Sequence, residues 1–134
     1  MASARVEWVL KAIETWNAGD VDGYLDALGD DFEFTPDPSF PDADTYSGEE
    51  WRRWINEWRR TWAESRLEVL GVSEHGDAVV LESRWHLTAK TGAQVPNSDF
   101  NVVAWFEPGE TRPTRAAAFF DRERALEEAG KPTG

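Results

Sequence analysis

Cysteine is absent from the 134-residue chain, which removes disulfide staples, thiolate catalysis, zinc ribbons and iron–sulfur ligation together. Positive charge is scarce: 14 Lys and Arg stand against 26 Asp and Glu, a formal charge of −12. A sequence-independent grip on nucleic acid needs a basic stripe that displaces counterions, so nucleic acid is not an expected partner. No apolar run approaches the roughly 20 residues of a membrane span, and no membrane partner is expected. The stretch Met1-Ala2-Ser3-Ala4-Arg5-Val6-Glu7 lacks the charged-then-apolar layout of a signal peptide, so the expectation is a soluble, cytoplasmic protein. Histidine occurs twice and never with a second ligand at metal spacing, so neither metal nor cofactor is expected. Aromatic surface, by contrast, is plentiful. Eight Trp within a 13% aromatic content can fill a substantial core and argue against disorder. The length suits one domain over residues 1–134.

Apolar residues at Val6, Val9, Leu10, Ile13 and Trp16 recur at helical intervals and predict a helix from about Ser3 to Asn17. Gly19 suits a left-handed cap for it, and Asp20 an N-cap for the next helix. Val21, Tyr24, Leu25 and Leu28 share one side of that short second helix, and Phe32-Glu33-Phe34-Thr35 alternates like a strand. Between Pro36 and Gly48 the chain reads as a long irregular loop of the kind small domains use for function, with Asp42 and Asp44 as solvated charges. Ser47-Gly48-Glu49-Glu50 has the form of a capping box for a third helix. One face of that helix carries Trp51, Trp54, Ile55, Trp58 and Trp62. Arg52, Arg53, Arg59 and Arg60 fall mostly elsewhere, as a solvated face paired with nearby Glu. From Arg66 the period shortens to two. Residues 66–74, 78–90, 99–107 and 112–120 predict four strands in an antiparallel meander. Asp121 caps a last short helix that Gly130 stops. Helices first and a sheet afterwards make an α+β layout.

Trp16-Asn17-Ala18-Gly19-Asp20-Val21-Asp22-Gly23-Tyr24, Asp30-Asp31-Phe32, Tyr46-Ser47-Gly48 and Phe119-Phe120-Asp121-Arg122-Glu123-Arg124-Ala125-Leu126 together resemble the nuclear-transport-factor-2-like proteins, specifically their SnoaL-like branch. The resemblance covers nearly the whole chain. It implies a cone: a curved antiparallel β-sheet wrapped around N-terminal helices (a cystatin-like roll), a short C-terminal helix, and a pocket at the open end. Homodimers through the outer sheet face are implied too. The superfamily hosts isomerases, cyclases, dehydratases, epoxide hydrolases and non-catalytic binders, so the fold is implied and the reaction is not.

The same resemblance allows a residue-by-residue search for chemistry. Ketosteroid-isomerase-like members take a general base from an Asp-Pro pair after the first strand, which Asp37-Pro38 matches with one extra residue after Asp30-Asp31. An offset of one reverses the face of a strand residue, so catalytic base and simple turn former both stay open for Asp37. The oxyanion donors of those members fall on Ala12 and Val102. An epoxide-hydrolase relay would need Phe100, Val102 and Ala118 to be polar, and the His and Tyr of many SnoaL-like relatives fall on Val102 and Phe119. All are apolar here. The implied cavity is therefore greasy, with Phe100, Val102, Ala104 and Phe106 on one strand face and Phe32, Phe34, Trp54, Trp58, Trp85 and Phe119 as aromatic walls. Trp16 and Tyr24 are candidate ligand contacts or ordinary core. His86, with Glu82 and Arg84, reads as a polar patch on the outer sheet face, and His75 as a turn residue. The expected partner is a flat hydrophobic small molecule. The expected role is cofactor-free acid–base catalysis on it; the alternatives are a non-catalytic binding protein and a dimeric interaction module.

Overall fold

A computed structural model describes residues 3–40, 44–95 and 98–130; Asp42 lies outside the described residues. Helix α1 (Ala4–Asn17) begins where the Ser3 hydroxyl accepts from Val6 N at 3.2 Å. It buries Val6, Val9, Ala12, Ile13 and Trp16, the stripe set by its spacing. Gly19, at φ 83°, turns the chain into α2 (Val21–Leu28), whose first turn is capped by the Asp20 carboxylate on Gly23 N at 2.9 Å. Strand β1 (Glu33–Thr35) follows, then β2 (Tyr46–Ser47), a short strand inside the stretch expected to be loop.

Ser47 pairs with Glu33 across β1 and β2, and Gly48 at φ 55° swings the chain directly into α3 (Gly48–Thr61). The expected capping box does not form on the Ser47 side: its hydroxyl makes no cap hydrogen bond because the residue is committed to the strand. Arg52 reaches Asp26 and Asp30 at 3.2 and 3.4 Å, acids of α2 and the turn after it, rather than a Glu of its own helix. Strand β3 (Trp62–His75) starts four residues before the expected point, so Trp62 belongs to the sheet and not to the helical stripe.

Strands β4 (Ala78–Ala89), β5 (Ser98–Phe106) and β6 (Pro113–Phe119) complete the meander, and α4 (Arg122–Ala129) closes the described chain. The curved sheet has the order β2-β1-β6-β5-β4-β3 and does not close. Every pairing is antiparallel except β1 with β6, which run parallel because the chain crosses from one edge to the other through α3 before returning. A bulge between Val69 and Gly71 leaves Leu70 unpaired and adds to the twist of β3.

Period-two alternation divides the sheet between two cores. Val79, Leu81 and Trp85 of β4, Phe100, Ala104 and Phe106 of β5, and Ala116 and Ala118 of β6 pack with α1, α2 and α3. The opposite face gives Val80, Val103, Trp105, Ala117 and Phe119 to a smaller core under Ala125 and Ala129 of α4. The Asp121 carboxylate caps that helix by accepting from Glu123 N at 3.0 Å. Among the described residues no helix is long and apolar enough to cross a membrane.

Candidate functional site

Between the three N-terminal helices and the inner sheet face lies a cavity of about 70 Å³. Helix α1 contributes Ile13 and Trp16, α2 contributes Tyr24, and α3 contributes Trp51, Trp54 and Ile55. Phe32, Phe34, Pro36 and Phe40 come from the first strand and its flanks. The sheet supplies Leu67, Trp85, Phe100, Val102 and Ala116. Two further hollows share these walls. A chamber of about 50 Å³ lies behind Tyr24, Phe32 and Val102, reaching Trp8, Leu28 and Ala12. An open hollow of about 180 Å³ lies beyond Phe40 and Trp54, lined also by Glu57, Trp58 and Thr61.

The aromatic walls touch one another in a chain. Trp51 and Trp54 stack at 5.9 Å, and Trp54 and Trp58 at 5.8 Å, which is the i, i+3, i+7 geometry of one helix face. Trp58 meets Trp85 at 4.7 Å, and Trp85 meets Phe100 at 4.1 Å. One hydroxyl fixes the central pair: buried Ser65 accepts the indole N–H of Trp85 at 2.7 Å and that of Trp58 at 3.2 Å. Asn17, at the end of α1, holds β3 against the helices. Its amide accepts from Leu67 N at 2.9 Å and donates to Leu67 O at 2.8 Å.

Of the residues expected at the site, Trp16, Tyr24, Phe34, Trp54, Trp85, Phe100 and Val102 lie on the cavity wall. Trp58 lines the outer hollow instead. Phe119 does not face the cavity. Adjacent strand residues alternate, and since Ala118 points inward Phe119 must point outward, where it is 7% exposed in the α4 core with Arg124 5.8 Å from its ring. The next residue, Phe120, leaves the strand and comes within 5.5 Å of Phe40 and 6.5 Å of Phe100.

Asp37 also stands off the cavity wall, although its neighbours Pro36 and Phe40 are on it. Its Oδ1 accepts from Ser39 N at 2.8 Å and from Ser39 Oγ at 2.6 Å, while its Oδ2 accepts from Phe120 N at 2.8 Å. The carboxylate thus forms the turn and ties it to the end of β6. Partial burial pushes its pKa up, but the bonds from Ser39 and Phe120, with the charge of Arg124, outweigh burial and hold it below the ordinary Asp value. A base held this way is weak. Burial pushes the Tyr24 phenol up to about 12, so it stays neutral and available as a donor. On the outer face, His86 Nε2 sits 2.9 Å from Glu68 Oε1, and this hydrogen bond draws the Glu68 pKa down. His75 meets Ser73 Oγ at 2.8 Å.

Trp51, Phe40 and Leu67 are wall residues that sequence reasoning did not place at the site. Trp51 shares the stripe of Trp54 and Trp58, so its periodicity carried the signal. Phe40 sits in an aperiodic segment that carries none. Among the described residues no group of three or more His, Cys, Asp or Glu side chains is placed to share a metal ion.

Comparisons with known proteins agree with this architecture. A structure of an NTF2-like protein of unknown function from Burkholderia pseudomallei superposes with TM-score 0.75 at 25% identity, covering 94% of this chain and 97% of that one. TerC, co-crystallised with polyporic acid, gives TM-score 0.74 at 21% identity over 97% of this chain and 100% of its own. A protein provisionally assigned as a SnoaL-like polyketide cyclase, from Shewanella denitrificans, gives 0.70 at 15% identity over 96% and 97%. No protein with a curated description matches the sequence. The model of the SnoaL-like domain matches residues 9–123, from the first helix through the strands that build the cavity to the start of α4, and the chain belongs to that family.

Proposed function

We propose that this protein binds a compact hydrophobic small molecule in the cavity between its helices and sheet. One observation carries the proposal: among the described residues, the wall is aliphatic and aromatic throughout, and Tyr24 is its only titratable side chain. Apolar area supplies affinity in such a site, and a few polar atoms supply orientation. The cavity of about 70 Å³ is smaller than the 150 Å³ engineered cavity known to take benzene, so binding displaces Phe40 or Trp54 toward the adjoining hollow. Titration with toluene and naphthalene, followed by Trp emission, tests this. A saturable change is expected, with each ligand recovered unaltered and with Val102→Phe abolishing the response. A response that never saturates, or one identical in that variant, refutes binding in the cavity.

A second reading keeps catalysis, and the position of Asp37 between two wall residues favours it. A ligand that displaces Phe40 breaks the turn and releases the carboxylate toward the cavity as a general base. Turnover lost in Asp37→Asn while ligand affinity is kept supports this reading; recovery of chemically unchanged ligand from the parent protein rejects it. Assembly as a homodimer through the outer sheet face, which the family resemblance implies, is proposed as well. Light scattering at the monomer mass refutes that assembly.

A further inference from the structure

The back chamber, the central cavity and the outer hollow lie in series, and the elements that wall them agree on the order. On α1, Trp8 and Ala12 line the chamber, Ile13 borders both chamber and cavity, and Trp16 lines the cavity. On β5 the walls follow as Ala104, Val102 and Phe100, with Val102 shared. Leu81 of β4 and Leu28 of α2 belong to the chamber, while Trp85 of β4 belongs to the cavity and Tyr24 of α2 to both. Helix α3 sets the outer end: Trp51 and Ile55 line the cavity, Trp54 is shared, and Trp58 and Thr61 line the open hollow. From Trp8 to Trp16 alone the helical rise covers about 12 Å.

Polarity changes along the same line. Among the described residues no charged side chain borders the chamber or the cavity, whereas the outer hollow carries Glu57. The Thr61 hydroxyl donates to the Glu57 backbone oxygen at 2.7 Å, and the Glu57 carboxylate is hydrogen-bonded and ion-paired to no described residue. No cation borders any of the three hollows among the described residues.

We infer that the three hollows act as one elongated site, which holds an apolar chain from the back chamber through the cavity and leaves a hydrogen-bond-donating end, a hydroxyl or an ammonium, beside Glu57. This rests on the cavity being a binding site and names the ligands that it binds most tightly. A ring the size of toluene occupies the middle hollow alone. A chain one carbon wide also enters the chamber when Tyr24, Phe32 and Val102 give way, and each methylene it buries adds affinity. A carboxylate end meets Glu57 as a like charge with no counter-ion on the walls.

The probes are n-butanol, n-hexanol, n-octanol and octanoate, with calorimetry for affinity and indole ¹⁵N–¹H spectra for position. Trp8 reports the far end, since no other Trp lines the back chamber, and its signal is identified by its loss in Trp8→Phe. Each methylene from butanol to octanol is expected to strengthen binding about fourfold. Octanol should move the Trp8 signal, butanol and toluene should leave it in place, and octanoate should bind more weakly than octanol. Ala104→Leu fills the chamber and should remove the advantage of octanol over hexanol; the Trp8 reading on the parent stands whether or not that variant folds. An affinity that stops rising at butanol, a Trp8 signal unmoved by octanol, an octanol advantage kept in folded Ala104→Leu, or octanoate binding as tightly as octanol overturns the inference, while toluene binding keeps the cavity as a site. Failure of toluene and of every alcohol to bind the parent overturns the binding site and the inference together.

Discussion

Replacing Ser65 with Ala removes a single oxygen, yet that oxygen accepts two indole N–H groups, from Trp85 at 2.7 Å and Trp58 at 3.2 Å. Trp85 is 8% exposed, so its N–H is left without water and carries the full penalty of a buried unmet donor, about 1–3 kcal/mol. Trp58 is only half-buried and borders the open hollow, where water can replace the serine, so its share is smaller. Ser65→Ala is therefore expected to cost about 2–4 kcal/mol, a large part of the roughly 5–15 kcal/mol that holds a domain folded. Urea unfolding followed by far-UV circular dichroism measures the loss without relying on the indoles under test. A double-mutant cycle then isolates the contact: Trp85→Phe should cost about 1 kcal/mol less in the Ser65→Ala background than in the parent, because the donor it removes is already unmet. The variant should also lose the fixed Trp58–Trp85–Phe100 wall and bind toluene more weakly. A Ser65→Ala protein within about 0.5 kcal/mol of the parent, with additive effects in the cycle, refutes the assignment of this hydroxyl as the fastener of the wall.

Asn17→Ala removes both bonds to Leu67 and should lower stability by about 1–3 kcal/mol in the same urea experiment. Because β3 is an edge strand of the sheet and Asn17 occupies two of its backbone groups, that variant should also aggregate more readily on heating, measured by light scattering. Asp37 has a folded pKa below its unfolded value, so its carboxylate stabilises the protein above the unfolded pKa, and that contribution is lost as pH falls through the folded value. The parent minus Asp37→Asn difference in melting temperature should accordingly be largest near neutrality and shrink toward about pH 2, and a pH-independent difference contradicts it. Phe40→Ala removes part of the partition between the cavity and the outer hollow. It should speed ligand association in stopped-flow measurements, and an unchanged rate places the entrance elsewhere.

Local spacing carried the helices, their caps and the strand faces because those depend on residues a few positions apart. Asp20 and Asp121 cap helices for the reason that made them visible: a short side-chain oxygen sits just before the turn whose amides it receives. Phe100 and Val102 point inward because alternation within β5 is a property of the strand itself. What escaped was set by distance and register. Asn17 meets Leu67 50 positions away, and Ser65 meets Trp85 20 positions away, and no periodicity marks either pair. The parallel pairing of β1 with β6 depends on where a crossover returns, which short windows do not contain. Phe119 shows how narrow the margin is. The resemblance drew Ala118 and Phe119 to the same cavity, but a strand presents only alternate residues to one face. Had Phe119 faced inward, its ring would have displaced the row of small Ala116 and Ala118 side chains that leaves room beside Phe32 and Trp51. The run of three alanines before Phe119 in β6 thus has a physical role on both faces: Ala117 lets α4 approach the outside, and Ala116 borders the hollow within. The apolar cavity is walled by large side chains from three helices and from the sheet around Val102 and Ala116, and a fit of that kind belongs to the folded pair of surfaces rather than to either segment alone.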